Sequence, residues 1–151
     1  MKKVFFIGVL CLMALSMQAQ SYVDLGLPSK TKWKSQNEKG FYTIKEAVSQ
    51  FGDRLPTKAQ WDELKVRCRW SWTGSGYKIT GPNGNSIILP AEGTRGCQGD
   101  VYFVGTWGDY WSSTPFESGF MWIISFDPEN VDIGFDELSR CAGNSVRLVQ
   151  K

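Results

Sequence analysis

Apolar residues recur at two spacings along this chain, and the switch between them divides it. Residues 43–68 carry the helical spacing. Ile44, Ala47, Val48 and Phe51 mark one helical face, with Thr43 as N-cap, Glu46 three residues on, and Gly52 placed to end the run. "LPTKAQWDEL" repeats the device: Thr57 is the N-cap, Gln60 its reciprocal partner, and Trp61, Leu64 and Cys68 share a face. Thr57 therefore reads as a cap rather than a nucleophile, and Trp61 as core rather than part of a cofactor box. Before these helices, "YVDLGL" and "TKWKSQ" read as strands. After residue 70 the period falls to two. "GYKIT-GPNGN-SIILP" reads as a hairpin turned by Asn83–Gly84. "GDYWSST", "GFMWIISFD", "NVDIGFDEL" and "NSVRLVQ" follow as four short strands punctuated by Gly, Ser, Asn and Pro. Two helices and then strands predict an α+β domain with mainly antiparallel sheets.

The chain opens on an apolar run of another kind. Lys2 and Lys3 precede Val4–Leu15, and "SMQAQ" follows with Ala19 placed for cleavage, the anatomy of a secretory signal peptide over residues 1–19. The run is too short for a comfortable membrane span. Cys11 does not make it a lipoprotein signal, because Leu10 stands where a small residue is needed. Residues 20–151 remain, enough for one domain and too few for two. No sorting tail or anchor is expected after the last strand. The expected location is outside the cytoplasm: periplasmic, cell-surface or extracellular.

Charge and composition narrow the chemistry. Taking Lys2 and Lys3 from the 17 basic residues leaves 15, against 15 acidic ones, with no basic block. Nucleic acid is a poor partner for such a surface. The chain has no His, which removes the commonest general base and zinc ligand. Ser112 and Ser113 therefore lack a triad partner and read as turn-bonding serines. Asp127, Glu129, Asp132, Asp136 and Glu137 admit three readings: paired glycosidase carboxylates, a calcium site, or a solvated strand face. Alternation explains them most cheaply, with Asp132, Gly134 and Asp136 on one face and Val131, Ile133 and Phe135 on the other. Among the cysteines left by export, Cys97 and Cys141 lie in Gly-flanked polar loops and are expected to form a disulfide; Cys68, on the helical stripe, is expected free and buried. Aromatics crowd the final third: Tyr102, Phe103, Trp107, Tyr110, Trp111, Phe116, Phe120, Trp122, Phe126 and Phe135. Some must be core. Others, among Gly and Ser loops, are suited to stack on sugars or dock a protein.

Six motifs in order, "YVDLGLPSKTKW", "LPTKAQWDEL", "CRWSWT", "GYKITGPNGNSIILPAEG", "YWSST" and "NSVRLV", give a further resemblance. They resemble the secreted proteins named for the Fibrobacter succinogenes major paralogous domain, over nearly the whole exported chain. The resemblance implies the fold of C-type lectins and of the formylglycine-generating sulfatase modifiers. In the latter, a similar "RLPTEAEWE" stretch also caps a helix, so "RLPTKAQW" reads as scaffold common to binders and enzymes. The departures weigh on function. Relatives often carry a Cys and an aromatic insertion after the first Lys-Trp, whereas "KWKSQNEKGFYT" runs straight on without one. The modifying enzymes bind copper through a close cysteine pair near the C-terminus, where this chain has only Cys141. Calcium-dependent lectins use Glu-Pro-Asn or Gln-Pro-Asp with Trp-Asn-Asp, and "DPENV" has the wrong order. Variable proteins of diversity-generating retroelements share the fold and vary residues near the last strands. That analogy assigns Trp111, Trp122, Asp132, Asp136, Arg140 and Asn144 to a ligand face. The expectation is thus a secreted or cell-surface recognition module for a glycan or cell-surface protein, with no catalytic residues, cofactor or metal. The alternative is a degenerate relative of the sulfatase modifiers.

Overall fold

The computed structural model of the chain describes residues 21–137 and 141–151. It is a mixed α and β domain with two α-helices and antiparallel sheets. Strands β1 (Tyr22–Asp24) and β2 (Lys32–Lys34) pair antiparallel near the start. Helix α1 (Ile44–Phe51) forms where the capping box requires it. Glu46 N–H donates to Thr43 Oγ1 at 3.3 Å, and Thr43 N–H donates to Glu46 Oε2 at 2.8 Å. Ile44 and Ala47 are buried and Phe51 half-buried, but Val48 is 46% exposed, so the buried stripe is narrower than the sequence predicts. Gly52 ends the helix with φ +51, a left-handed value that glycine tolerates best.

Helix α2 (Lys58–Arg67) starts from the second capping box. Gln60 N–H donates to Thr57 Oγ1 at 3.2 Å and Thr57 N–H to Gln60 Oε1 at 2.8 Å. Trp61 and Leu64 point into the core as expected. Cys68 follows the helix as its C-cap and is half-buried, less enclosed than its stripe position predicts. The chain then runs directly into β3 (Arg69–Trp72), which pairs with β4 (Gly76–Thr80), and β4 pairs with β5 (Ser86–Pro90). The β4–β5 hairpin is present, but its turn is displaced by one residue. Gly84 N–H donates to Gly81 O at 3.0 Å, placing Pro82 and Asn83 at the centre, and Gly84 follows with φ +87 before the ladder resumes. Pro82 dictates this, since its fixed φ suits the first central position of a turn with negative φ. The amides of Asn83 and Asn85 both donate to Asp24 O at 2.9 Å, tying the turn to β1.

A short ribbon follows, β6 (Thr94–Arg95) with β7 (Val101–Tyr102), and then the longest sheet: β8 (Gly108–Pro115), β9 (Phe120–Phe126) and β10 (Val131–Glu137), in the order β10-β9-β8. β9 is apolar nearly throughout because both of its faces are covered. Tyr110, Ile124 and Phe126 pack with Trp33, Trp61, Leu64, Ile79 and Leu89 on the α2 side. Their sequence neighbours Trp111, Ile123 and Met121 pack with Ile44, Ala47, Leu55, Val146 and Leu148 on the α1 side. Each fully buried side chain of this size stabilises the fold by about 1.5–3 kcal/mol.

"NSVRLVQ" is not one strand. Only Val149–Gln150, β11, pairs regularly, with β2. Upstream, Gly143, Asn144 and Ser145 make single bridges to Arg95, Tyr42 and Tyr110 in turn. The segment threads between elements, so no one neighbour runs alongside it. Arg147 on this segment is 1% exposed, and all three of its side-chain nitrogens donate. Each guanidinium nitrogen makes one such bond, three of the five N–H donors: Nε donates to Asn37 Oδ1 at 2.8 Å, Nη1 to Lys34 O at 2.9 Å, and Nη2 to Ile88 O. The Cys97–Cys141 disulfide is formed, with Cα atoms 4.9 Å apart, and fastens the β6–β7 ribbon to the start of this segment. Cys68 is the free cysteine among the described residues.

Candidate ligand-binding surface

The register of the β8–β10 sheet decides which side chains share a face. Trp111 lies opposite Ile123, and Ile123 opposite Gly134; Trp122 lies opposite Phe135. Trp111 and Trp122 therefore point to opposite sides. Trp111 is 1% exposed, packed under α1, and its Nε1–H donates to Tyr42 O at 2.7 Å. It belongs to the core, not to a ligand face. Asn144 is likewise buried, donating from Nδ2 to Asp136 Oδ2 and accepting from Thr94 Oγ1, both at 3.2 Å. It braces the threaded segment. Arg140 lies outside the described residues. Asp132 is exposed and pairs with Lys65 at 3.3 Å, while Asp136 is half-buried. Both aspartates alternate away from Trp122. The five expected residues that are described thus do not converge on one surface.

A different group does converge. The β8–β9 hairpin carries a bulge: Trp111 pairs with Ile123, but the next pair is Pro115 with Met121. Ser112, Ser113 and Thr114 occupy the surplus, and the bulge is fastened to the start of α2. Ser113 N–H donates to Pro56 O at 2.8 Å, and Lys58 N–H donates to Thr114 Oγ1 at 3.0 Å. Ser112 is buried, its Oγ accepting from Thr114 N–H at 3.1 Å. Both serines lie in the bulge and bond the local backbone rather than act as nucleophiles, although a bulge is not expected from the sequence and Ser112 is buried. Beyond the bulge Phe116 meets the sheet end. Its ring stacks on Phe135 at 4.4 Å and 9°, and Trp122 meets it edge-on at 4.6 Å. Phe120 meets Phe135 edge-on at 5.5 Å.

α2 starts over Trp122, where Lys58 Nζ lies 4.9 Å from the ring centroid, and runs toward Asp132, where Lys65 reaches across. The sheet end therefore extends past the helix N-terminus. This is why Phe135 is 52% exposed although alternation places it with Val131 and Ile133, which are partly buried against the core. Lys58 also pairs with Asp62 at 2.6 Å, which holds the ammonium beside the aromatic group. The result is a quartet of Phe116, Phe120, Trp122 and Phe135 at the end of the sheet, with the Lys58 ammonium at its margin. The sequence named all four rings among the crowded aromatics, but nothing local showed that they meet.

Elsewhere polar groups are committed to structure. Asp127 of "DPENV" accepts from Glu129 and Asn130 N–H, both at 2.8 Å, and these bonds hold its carboxyl below the usual range. A groove of about 630 Å³ lies along Asn37, Glu38, Ile88, Pro90, Glu92 and Arg147. At its floor, burial lowers the Arg147 guanidinium to about 10, with Tyr110, Glu92 and Glu38 opposing that shift. It stays a cation at neutral pH and serves as a clamp between β2 and β5. Among the described residues no group of three or more His, Cys, Asp or Glu is placed to hold a metal ion. No described helix is long and apolar enough to cross a membrane.

No family model, curated protein or solved structure matches the chain. The functional reading rests on its own residues.

Proposed function

We propose that this chain is a secreted or cell-surface, non-catalytic recognition module for a glycan or protein ligand, with a C-type-lectin-like fold of the kind the major paralogous domain family implies. The aromatic quartet carries the reading. The exposed Phe135 ring, stacked on the half-buried Phe116 at the end of the sheet, offers contact area at little entropic cost, and aromatic residues of this kind dominate binding energies at interfaces. The quartet replaces the dispersed face of Trp111, Asp132, Asp136 and Asn144 as the site, keeping Trp122. The sulfatase-modifier alternative calls for a free thiol beside Cys141, and Cys141 is bonded to Cys97. Signal-peptide export fits that disulfide, which oxidising compartments favour.

The test is a glycan and cell-surface-protein array probed with the exported chain, followed by titration of any hit against Phe135→Ala and Trp122→Ala. Loss of about 2 kcal/mol of binding, roughly 30-fold, with folding retained is the expected result. A ligand bound equally well by both variants places the site elsewhere.

A further inference from the structure

We infer that the groove between the 35–40 loop and the outer edge of β5 is a second binding site, built for a neutral polyhydroxylated ligand, a saccharide with adjacent free hydroxyls. It shares no residue with the aromatic quartet. Its volume of about 630 Å³ falls within the range of small-molecule sites, about 300–1,000 Å³. Its walls are fixed from beneath. Arg147 bonds Lys34 O and Asn37 on the β2 side and Ile88 O on the β5 side. The Tyr110 hydroxyl repeats the link, accepting from Asn37 Nδ2 at 2.8 Å and donating to Pro90 O at 2.6 Å. A cleft whose sides are tied together at the floor holds its shape before a ligand arrives.

The groups left unspent in the groove point to its occupant. Arg147 uses three of its five N–H donors and has no carboxylate at ion-pair distance among the described residues. Buried cations are ordinarily paired. Glu38 and Glu92 line the same groove, but Glu38 is paired with Lys34, and Glu92 accepts from the Ser145 hydroxyl on Oε2 at 2.9 Å. Glu92 Oε1 has no donor among the described residues. A guanidinium only donates and a carboxylate only accepts, so a group that joins them must do both. Adjacent hydroxyls of one sugar ring do so. Ser35, Gln36 and Ser86 add side chains that donate or accept, while Ile88, 50% exposed, and Pro90 supply an apolar strip for the C–H face of a ring. An anion fits less well, because Glu38 and Glu92 balance Lys39 and Arg147 and would stand beside it. The β4–β5 ladder disfavours an added peptide strand. Gly81 N–H donates to Asn85 O and Ala91 N–H to Ser75 O, both at 2.9 Å, so Ser86, Ile88 and Pro90 turn their backbone groups outward. The outward carbonyls of Ile88 and Pro90 are already capped by Arg147 and Tyr110, and Pro90 has no N–H. A strand would find its acceptors taken, whereas the outward Ile88 N–H remains for a single ligand oxygen.

Backbone amide NMR of the exported chain, disulfide intact, tests this by titration with glucose, galactose, mannose and xylose and their unbranched oligomers. Each is taken to about 10 mM, a range that reaches weak single sites. At least one should move the Gln36, Ile88 and Glu92 amides saturably. Glu92→Gln keeps an acceptor for Ser145 but loses the carboxylate, and should weaken that binding roughly tenfold, the share of a charge-assisted bond. Gln36→Ala, on the exposed wall, should weaken it with the melting temperature unchanged, and Phe135→Ala should leave it unaltered. Groove amides that no saccharide moves, or either folded groove variant binding as tightly as the parent chain, overturn the inference. So do sodium acetate or inorganic phosphate moving these amides at lower concentration than any saccharide. Saccharides that move only the Trp122 and Phe135 amides also overturn it, while supporting the quartet.

Discussion

Truncating Trp111 and truncating Phe135 should have opposite consequences, although both are large aromatics in adjoining parts of one sheet. Trp111→Ala removes an indole that is 1% exposed and packed against Ile123, Ile44 and Ala47 under α1. Deleting a buried Trp costs about 3–5 kcal/mol through lost transfer energy and the cavity left behind. The Tyr42 carbonyl, which accepts from Nε1 at 2.7 Å, also loses its donor, adding roughly 1–3 kcal/mol where water cannot replace it. The sum is about 4–8 kcal/mol, comparable with the whole stability of a domain this size, which is about 5–15 kcal/mol.

Phe135→Ala removes a ring already 52% exposed. About half of a full side-chain burial, roughly 1 kcal/mol, is lost. The stacked contact with Phe116 and the edge contact with Phe120 add about 0.5–1.5 kcal/mol. The total is about 2 kcal/mol, which leaves the domain folded. Urea melts followed by far-ultraviolet circular dichroism measure both, and read the fold rather than the deleted chromophores. Equal destabilisation by the two variants would mean that the quartet is core and offers no binding surface. A cost below about 2 kcal/mol for Trp111→Ala would mean that the α1 side of the sheet is not closed.

Thr57→Ala should cost about 1 kcal/mol in the same melts and leave ligand affinity unchanged, because the hydroxyl serves Gln60 N–H; altered binding at unchanged stability would place "LPTKAQW" at the ligand. Replacing both Cys97 and Cys141 by Ser should cost about 4 kcal/mol for a crosslink spanning 44 residues, measured by chemical denaturation; a loss below about 1 kcal/mol would show that the closed loop is already ordered without it. Burial, with a smaller push from Glu63, raises the Cys68 thiol from 9.0 to about 11. Native Cys68 should therefore alkylate slowly at pH 9 and quickly once unfolded, and an equal rate in both states refutes the burial. By linkage, a folded-state value above the unfolded one gives a contribution present below pH 9 and lost as pH rises toward 11, so Cys68→Ala should flatten the stability profile in that window.

Features encoded within three or four residues were legible in the sequence. Both capping boxes, Thr43 with Glu46 and Thr57 with Gln60, close where the sequence places them, since donor and acceptor come from one turn of chain. The Cys97–Cys141 pair was legible because its loop context set it apart from the helical Cys68. β3 was not: "RWSW" follows α2 with no turn residue between, and only pairing with β4 makes it a strand. The Asn83–Gly84 signal was real but incomplete, because Pro82 fixes the turn one residue earlier.

The faces of Trp111 and Trp122 were illegible for a deeper reason. Alternation normally reports which side of a strand is buried, because a one-residue slip exposes the apolar set. In "FMWIISF" both faces are apolar and largely covered, so the pattern does not mark which face reaches solvent. The parity of the β8–β9 register is then set by the turn between Phe116 and Phe120, where Phe120 N–H donates to Glu117 O at 3.0 Å and Gly119 takes φ +87. That turn puts Trp111 with the odd-numbered Ile123, while the Asp127–Asn130 turn between β9 and β10 puts Trp122 with Phe135. Exposure at the sheet end depends on something more distant still: α2 begins at Lys58, fixed by the Thr57 cap, and does not reach over Phe135. The same cap that reads as scaffold therefore sets where the covered sheet ends and the exposed aromatic surface begins. An insertion of one helical turn between Thr57 and Lys58 would move the cap outward and lengthen α2 toward the quartet, with no ring replaced.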